Sequence, residues 1–192
     1  ELAHSQGALL VVSADPMSLA MFRPPGDYDA DIVVGEGQTL GVAPAFGGPY
    51  VGIFACKQKY VRQMPGRIVG KTVDTQGRDG YVLTLQTREQ HIKRAHATSN
   101  ICTAQVLLAI MSGFYACWHG ADGLRCIAQR VRAHTMRLRR ALQAAGCDVA
   151  PGEVFDTLKI NLGDEARACM ARAVEAGWNL RLFDGDEAVG IA

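Results

Sequence analysis

Residues 30–56 read ADIVVGEGQTLGVAPAFGGPYVGIFAC, in which two short apolar runs flank a glycine-rich stretch. Apolar runs of this length without alternation indicate strands that are buried on both faces of a sheet. We therefore predict strands over residues 31–34 and 51–56, and another over the earlier run ALLVV at 8–12. A short helical turn at 17–22 lies between the first two strands. Strands that alternate with helical pieces predict the α/β class, with a parallel sheet.

The middle of the chain predicts a hairpin followed by a long apolar helix. Residues 68–87 alternate loosely around the turn sequence TQGRDG at 75–80, so we expect a hairpin that projects from the main sheet. Residues 101–118 are almost all apolar or small. Over this length, such a composition favours a buried helix, which we expect to end near Gly120.

The last third of the chain predicts a smaller α/β unit. A helix capped by Asp122 runs to about Ala145, because apolar residues recur there at spacings of three and four. The pattern beyond it predicts strands at 155–162, 179–183 and 188–192 and a helix at 164–176. We therefore divide the chain into residues 1–121, part of a large domain, and residues 122–192, a small and incomplete domain.

Composition limits the classes of function. The 192 residues are 48% hydrophobic, which is enough for a core, and the net charge of +1 favours neither nucleic acid nor an anionic membrane. No apolar run approaches the roughly 20 residues of a membrane helix. The six cysteines show no zinc-ligand spacing. We expect a cytoplasmic or mitochondrial-matrix protein without a metal site, and we expect the final AVGIA to be an unfinished strand of a longer chain.

The glycine-rich stretch raises the possibility of a nucleotide site. Gly35, Gly37 and Gly41 follow a strand, as the glycines of a dinucleotide-binding loop do. Their spacing differs from GxGxxG, and Pro44 and Pro49 interrupt the helix whose first turn would hold the phosphate. No Walker lysine follows. The sequence therefore argues against nucleotide binding.

Several unusual motifs occur in order: MPGRIVG at 64–70, TREQHI at 87–92, ATSNICTAQ at 97–105 and FDTLKINL at 155–162. Together with residues 15–63 and 179–192, they make nearly the whole chain resemble the N-terminal, non-catalytic half of the glycine cleavage system P-protein. The resemblance implies the fold type I architecture of pyridoxal-phosphate enzymes, with a large parallel-sheet domain and a small C-terminal α/β domain. It also implies the reaction of the intact protein, which is to decarboxylate glycine and transfer the aminomethyl group to the lipoyl arm of the H-protein.

The resemblance makes a missing lysine meaningful. In the catalytic half of such proteins, the lysine that holds pyridoxal phosphate follows a strand that begins with the residues Ala-Asp. Here that strand is residues 30–34, and Gln38 and Thr39 stand opposite the histidine and lysine of that half. A hydroxyl cannot form an imine, so no catalytic residue is expected here and the other half holds the cofactor covalently. Asp15 has two possible roles. It stands where the catalytic half has the aspartate that pairs with the pyridine nitrogen of the cofactor, or it only caps the chain after the first strand.

Thr98, Ser99 and Asn100 are the candidate cofactor-binding residues. In related dimers the turn before the first long helix of the dimer face carries a threonine that reaches the partner's cofactor phosphate, and these residues occupy that place. Their hydroxyls and the following helix N-terminus suit an anion. The alternative is that they only cap the helix.

The resemblance thus implies the lysine-less half of a glycine decarboxylase, inactive alone. Its expected partners are the catalytic half of the P-protein and the lipoylated H-protein, in a homodimer or as paired subunits, without nucleic acid or membrane. Two alternatives stay open: an independent fold type I pyridoxal-phosphate enzyme, against which residues 30–48 argue, and a purely structural scaffold for the complex.

Overall fold

A computed structural model describes residues 1–45, 47–97, 105–183, 185 and 187–192. They divide into two units, Glu1–Trp118 and His119–Ala192. The sequence pattern placed the division slightly later, between residues 121 and 122. The first unit contains helices α1 (Leu2–Ser5) and α2 (Gln90–Lys93) and strands β1 (Val11–Ser13), β2 (Ile32–Glu36), β3 (Gly52–Cys56), β4 (Ile68–Val73) and β5 (Asp79–Thr84). Its 3-10 helices are Pro16–Ala20, Pro25–Tyr28, Gly37–Thr39, Gln58–Tyr60, Gln86–Arg88 and Arg94–His96.

The main sheet of the first unit has the order β1-β2-β3. β1 pairs with β2 in parallel, with Val12 opposite Val33, whereas β2 and β3 are antiparallel, with Glu36 opposite Gly52. The strands predicted around residues 8–12, 31–34 and 51–56 are present, but the described sheet is mixed and not purely parallel. Residue 35 must be a glycine, because β2 lies close to the chain that follows β1. A Cβ at Gly35 would collide with the carbonyl oxygen of Ala14.

The predicted hairpin is confirmed as a separate two-stranded sheet of β4 and β5. A long helical span, α3 (Val106–Ala144), contains one residue with non-helical dihedrals, Gly120, at φ 61° and ψ −178°. Such a positive φ strains any residue other than glycine. The interruption at Gly120 coincides with the helix end that the sequence pattern predicts.

The prediction that residues 101–118 form a buried helix is wrong in one respect. The described part, from Val106, is helical, but its apolar side chains are largely exposed, including Leu107, Phe114 and Trp118. The composition predicts that such a helix must be covered. Nothing within the described residues of the first unit covers this face.

The second unit contains the rest of α3, helix α4 (Ala166–Glu175), the 3-10 helix Gly163–Glu165 and strands β6 (Asp148–Val149), β7 (Leu158–Asn161), β8 (Arg181–Leu182) and β9 (Ala188–Ile191). The strands form an antiparallel sheet in the order β6-β7-β9-β8. Leu158, Ile160 and Val189 point into a core that α4 covers with Ala166. The predicted strands and helix are confirmed with shorter bounds, while β6 was not predicted.

A buried carboxylate joins three segments of the first unit at the amino end of β2. The Asp31 side chain is fully buried and accepts hydrogen bonds from the Leu10 amide at 3.0 Å and from Lys57 Nζ at 3.0 Å. His4 Nε2 is hydrogen-bonded at 2.6 Å to Oδ2, the oxygen that also accepts from Leu10. Lys57 also pairs with Asp29 at 2.6 Å. A buried charge of this kind is tolerated only when it is paired.

The electrostatics of this cluster favour the charged forms. The Leu10 amide and then His4 hold the pKa of Asp31 well below its usual range. The hydrogen bond with Asp29 raises the pKa of Lys57. Hydrogen bonds that are made only to the ionised form stabilise that form relative to the neutral one. Ionised Asp31 therefore stabilises the folded chain.

Replacing Asp31 with Asn should lower the melting temperature at pH 7, because an amide cannot accept all of these hydrogen bonds. A folded pKa below the unfolded value contributes stability that is present above the unfolded pKa, about 3.9, and is lost as the pH falls through the folded pKa. The difference in melting temperature between the parent chain and the Asp31→Asn variant should therefore narrow below about pH 4. Thermal unfolding followed by circular dichroism from pH 7 to pH 2.5 measures it.

The matched control is Asp79→Asn, which removes an exposed carboxylate paired with Lys71. Exposed pairs of this kind contribute little, so its melting temperature should stay close to that of the parent chain. Equal melting temperatures for the parent chain and the Asp31→Asn variant at pH 7, or a gap that does not narrow below about pH 4, would contradict this role of Asp31.

Candidate functional site

The parallel pairing of β1 and β2 brings the turns after both strands to the same edge of the sheet. At this carboxyl edge, Asp15 Oδ1 accepts hydrogen bonds from the Met17 amide at 2.8 Å and from Thr39 Oγ1 at 2.8 Å. The structure thus brings together two positions, 15 and 39, that the resemblance marked as aspartate and lysine sites of the catalytic half. The capping alternative describes what Asp15 does here, since it caps the 3-10 helix Pro16–Ala20.

Hydrogen bonds connect the glycine-rich turn at this edge with Val51, the residue before β3. Glu36 Oε1 accepts from the amides of Gln38 at 3.2 Å and Val51 at 3.1 Å, and the Gly37 amide donates to the Val51 carbonyl at 2.7 Å. A Cβ at Gly37 would lie 2.7 Å from the Val51 side chain. The backbone amides of Gly37, Gln38 and Val51 are therefore already used within the turn.

The chain immediately after this turn also excludes a nucleotide loop. It enters the three-residue 3-10 helix Gly37–Thr39, and no α-helix occurs in the described residues between that helix and β3. The long helix whose first turn holds the phosphate in dinucleotide-binding folds has no counterpart there. The sequence argues against a nucleotide site through the same feature, since it predicts that Pro44 and Pro49 interrupt such a helix.

The described hydrogen bonds of Asp15, Glu36 and Thr39 at the carboxyl edge involve no lysine side chain. The lysines of the chain are Lys57, Lys59, Lys71, Lys93 and Lys159. Lys57 follows β3, and because β3 is antiparallel to β2, it lies beside Asp31 at the amino end of β2. The five residues of β2 separate the two ends by about 17 Å at roughly 3.4 Å per residue. The residues at the carboxyl edge therefore do not fit a covalently held pyridoxal phosphate.

The amino end of β2 contains a polar cavity. It has a volume of about 380 Å³ and is lined in part by His4, Asp29, Asp31, Lys57 and Lys59. The two lysines and the two aspartates pair with one another at 2.6 to 3.4 Å. Because these charges compensate each other, the cavity does not attract an ion of either sign.

The sequence pattern did not predict this cluster, although one signal pointed to it. An aspartate at the start of a buried apolar strand needs a partner, because an unpaired buried charge is costly. The first lysine of the chain follows the next strand. Which residue pairs with Asp31 depends on the antiparallel register of β2 and β3, whereas the apolar pattern predicts parallel strands.

The predicted cofactor-binding residues Thr98, Ser99 and Asn100 lie outside the described residues. Their contact with a phosphate therefore stays a prediction. Within the part of the chain that the structure describes, no group of three or more His, Cys, Asp or Glu side chains could hold a metal ion. The same residues contain no helix with the length and apolar composition to cross a membrane.

Comparison with known proteins adds the family. The family model described as "Glycine cleavage system P-protein" matches residues 1–192. A protein of Bordetella avium named glycine dehydrogenase (decarboxylating) is 51% identical over 192 residues, which cover 100% of this chain and 20% of the relative. The protein of the same name from Nostoc punctiforme is 49% identical over 197 residues, again 100% of this chain and 20% of the relative.

A solved structure agrees with these relatives. The crystal structure of glycine decarboxylase (P-protein) of the glycine cleavage system, in inhibitor-bound form, superposes with a TM-score of 0.87 at 40% identity. The likeness covers 99% of this chain and 45% of the solved chain. The α/β class and the fold type I architecture that the resemblance implied are thereby confirmed.

The matched proteins are much longer than this chain. It spans about a fifth of the length of the curated relatives that it matches and less than half of the solved chain. The match to the family model extends over every residue from Glu1 to Ala192. The chain belongs to the glycine cleavage system P-protein family.

Proposed function

We propose that the chain is the C-terminal part of the N-terminal, lysine-less half of a P-protein. The intact protein decarboxylates glycine with pyridoxal phosphate and transfers the aminomethyl group to the lipoyl arm of the H-protein. The observation that carries the proposal is the carboxyl edge of the sheet, where Thr39, at the position of the lysine of the catalytic half, donates to Asp15. Pyridoxal phosphate would supply its electron-accepting chemistry in the other half of the protein.

The two units fit this place in a longer protein. Glu1–Trp118, with its mixed sheet, would be part of the large domain, and His119–Ala192, with its antiparallel sheet and α4, the small domain. A cytoplasmic or mitochondrial-matrix location stays a prediction.

The first part of α3 supports a role in assembly. Between Gln105 and Trp118 the sequence has no charged residue. Phe114 is 72% exposed and Trp118 86% exposed, and Leu107 and Ile110 are exposed in the same stretch. An apolar stripe of this kind marks an interface, because it is costly to leave in water. The proposed occupant is the catalytic half of the P-protein.

The two alternatives are less well supported. An independent pyridoxal-phosphate enzyme needs an amine at the carboxyl edge of the sheet, where none of the described hydrogen bonds involves a lysine. A scaffold that only assembles the complex agrees with the closed Asp15–Thr39 pair and with the exposed helix. The scaffold and the active-site contributor differ in one property, which is whether residues 98–100 contact the cofactor.

The proposed activity is tested by glycine-dependent release of carbon dioxide with pyridoxal phosphate and lipoylated H-protein. The full-length protein should catalyse it, and the 192-residue chain alone should not, because it lacks the amine that holds the cofactor. Full-length protein in which Lys57 is replaced by Arg should stay active, since the pairing with Asp29 and Asp31 is retained. Activity of the isolated chain at the full-length rate would make it an independent enzyme, and an inactive full-length protein would refute the proposed reaction.

We also propose that Thr98, with Ser99 and Asn100, contacts the cofactor phosphate of the other half. In the full-length enzyme, Thr98→Val would then delete one charge-assisted hydrogen bond, worth roughly 1.5 to 3 kcal/mol. Cofactor affinity should fall by about ten- to a hundredfold, since each 1.4 kcal/mol is a factor of ten. Dissociation of pyridoxal phosphate measured by fluorescence titration gives the affinity.

The capping alternative for these residues predicts a different pair of results. Loss of a helix cap costs about 1 kcal/mol of stability and leaves cofactor affinity nearly unchanged. The melting temperature of the same Thr98→Val enzyme therefore serves as the second readout. Reduced stability with unchanged affinity would leave these residues only the structural role.

A further inference from the structure

The hairpin of β4 and β5, residues 68–84, forms an arm whose outer face is open to solvent over its whole length. Cross-strand pairing alternates the side chains between two faces, and the outer face consists of Val69, Lys71, Val73, Asp79, Tyr81 and Leu83. All six are exposed. Tyr81 is 74% exposed, Val73 61% and Val69 59%. Most of the outer face is therefore apolar surface in contact with water.

The inner face of the arm is partly buried at its base, at Ile68, Gly70 and Thr84, whereas Thr72 and Val82 on the same face are exposed. Ile68 and Thr84, at the base, line a cavity together with Val61 and Arg62. Gly70 is half-buried and has no room for a side chain, because a Cβ there would lie 2.7 Å from the Thr84 methyl. The base of the arm is thus packed on one side only.

A buried arginine holds the base of the arm in place. Arg88 is 7% exposed, and its guanidinium donates to the carbonyls of Met64, Gly66 and Leu85. These carbonyls flank both strands of the arm. The hydrogen bonds fix the direction in which the arm leaves the unit.

The tip of the arm is ordered as well. Asp74 accepts hydrogen bonds from the Gln76 amide at 2.8 Å, the Arg78 amide at 2.9 Å and Arg78 Nε at 2.7 Å. The Arg78 amide and side chain hold the pKa of Asp74 below its usual range. A two-stranded hairpin alone is at best marginally stable, so order at both ends prepares the arm for a further packing partner.

The charges of the arm compensate one another. Lys71 pairs with Asp79 at 2.8 Å, and Arg78 pairs with Asp74 at 2.7 Å. Electrostatic steering would need an uncompensated charge, so the arm does not select a charged partner. The outer face instead fits an apolar surface. Permanent interfaces are of this apolar kind, whereas partners that bind and leave have more polar interfaces.

We infer that the outer face of the arm is a permanent docking surface for an apolar surface of the P-protein lying outside these 192 residues. The inference rests on the proposed place of the chain in a longer protein. Relatives are about five times as long as the matched region, so most of the surface available to cover the arm lies in the rest of the protein. The occupant is thus a lasting part of the same enzyme and not a carrier that comes and goes.

Photocrosslinking in the full-length protein tests the inference. The photoreactive residue p-benzoylphenylalanine replaces Tyr81 on the outer face and, as the control, Val82 on the inner face. Irradiation should crosslink position 81 to peptides outside residues 1–192 several-fold more than position 82. Crosslinks only to a second copy of residues 1–192, identified by mixing isotopically labelled and unlabelled protein, would overturn the inference, as would crosslinks only to H-protein or none at all.

A second measurement needs no bulky label. Leu83 is 46% exposed on the outer face and Val82 is 48% exposed on the inner face, so Leu83→Gln and Val82→Gln form a matched pair. Burial of a leucine in the interface predicts that Leu83→Gln speeds amide exchange of the arm by about tenfold or more, and Val82→Gln much less. Equal effects of the two variants would refute the docking surface. An inactive protein that still shows the crosslink would count against the proposed function and not against this inference.

Discussion

The buried carboxylate of Asp31 determines where the first lysine of the chain lies. It binds Lys57 and His4 and accepts from the Leu10 amide, so it connects α1, the chain before β1 and the end of β3 at the amino end of β2. A charge that is removed from water requires such partners. Because Lys57 serves this purpose, its amine is kept away from the carboxyl edge, where fold type I enzymes hold their cofactor. At that edge, the side chains with described hydrogen bonds are the hydroxyl of Thr39 and the carboxylates of Asp15 and Glu36.

Two surfaces of the first unit expose apolar side chains to solvent. The exposed side of α3 and the outer face of the arm both present large side chains to solvent, although the elements that carry them are well formed. Hydrophobic burial is the main favourable term in folding, and surfaces of this size are normally covered. We interpret both as contacts with other parts of a longer P-protein, one through a helix face and one through a sheet face.

Much of the architecture could be predicted from the sequence, because apolar runs record which segments are buried. The runs around 31–34 and 51–56 predicted β2 and β3, and the loose alternation after Ile68 predicted the arm. β6 escaped prediction, since Asp148 and Val149 form a strand only through their pairing with β7. The antiparallel direction of β3 also escaped, because a buried run does not record its direction.

The other features that the sequence did not predict also depend on tertiary contacts. The pattern of residues 101–118 predicts a covered helix, but it does not say whether the cover comes from these 192 residues. The resemblance identified positions 15 and 39, and only the parallel register of β1 and β2 shows that they are hydrogen-bonded. The Asp31 cluster joins residues far apart in the sequence, so no local pattern contains it.

The central claim is that this half of the protein does not hold the cofactor. It is tested most directly by reducing the full-length protein with borohydride in the presence of pyridoxal phosphate and mapping the labelled lysine by mass spectrometry. We expect stoichiometric labelling of one lysine outside residues 1–192. Stoichiometric labelling of Lys57, Lys59, Lys71, Lys93 or Lys159 would contradict the claim.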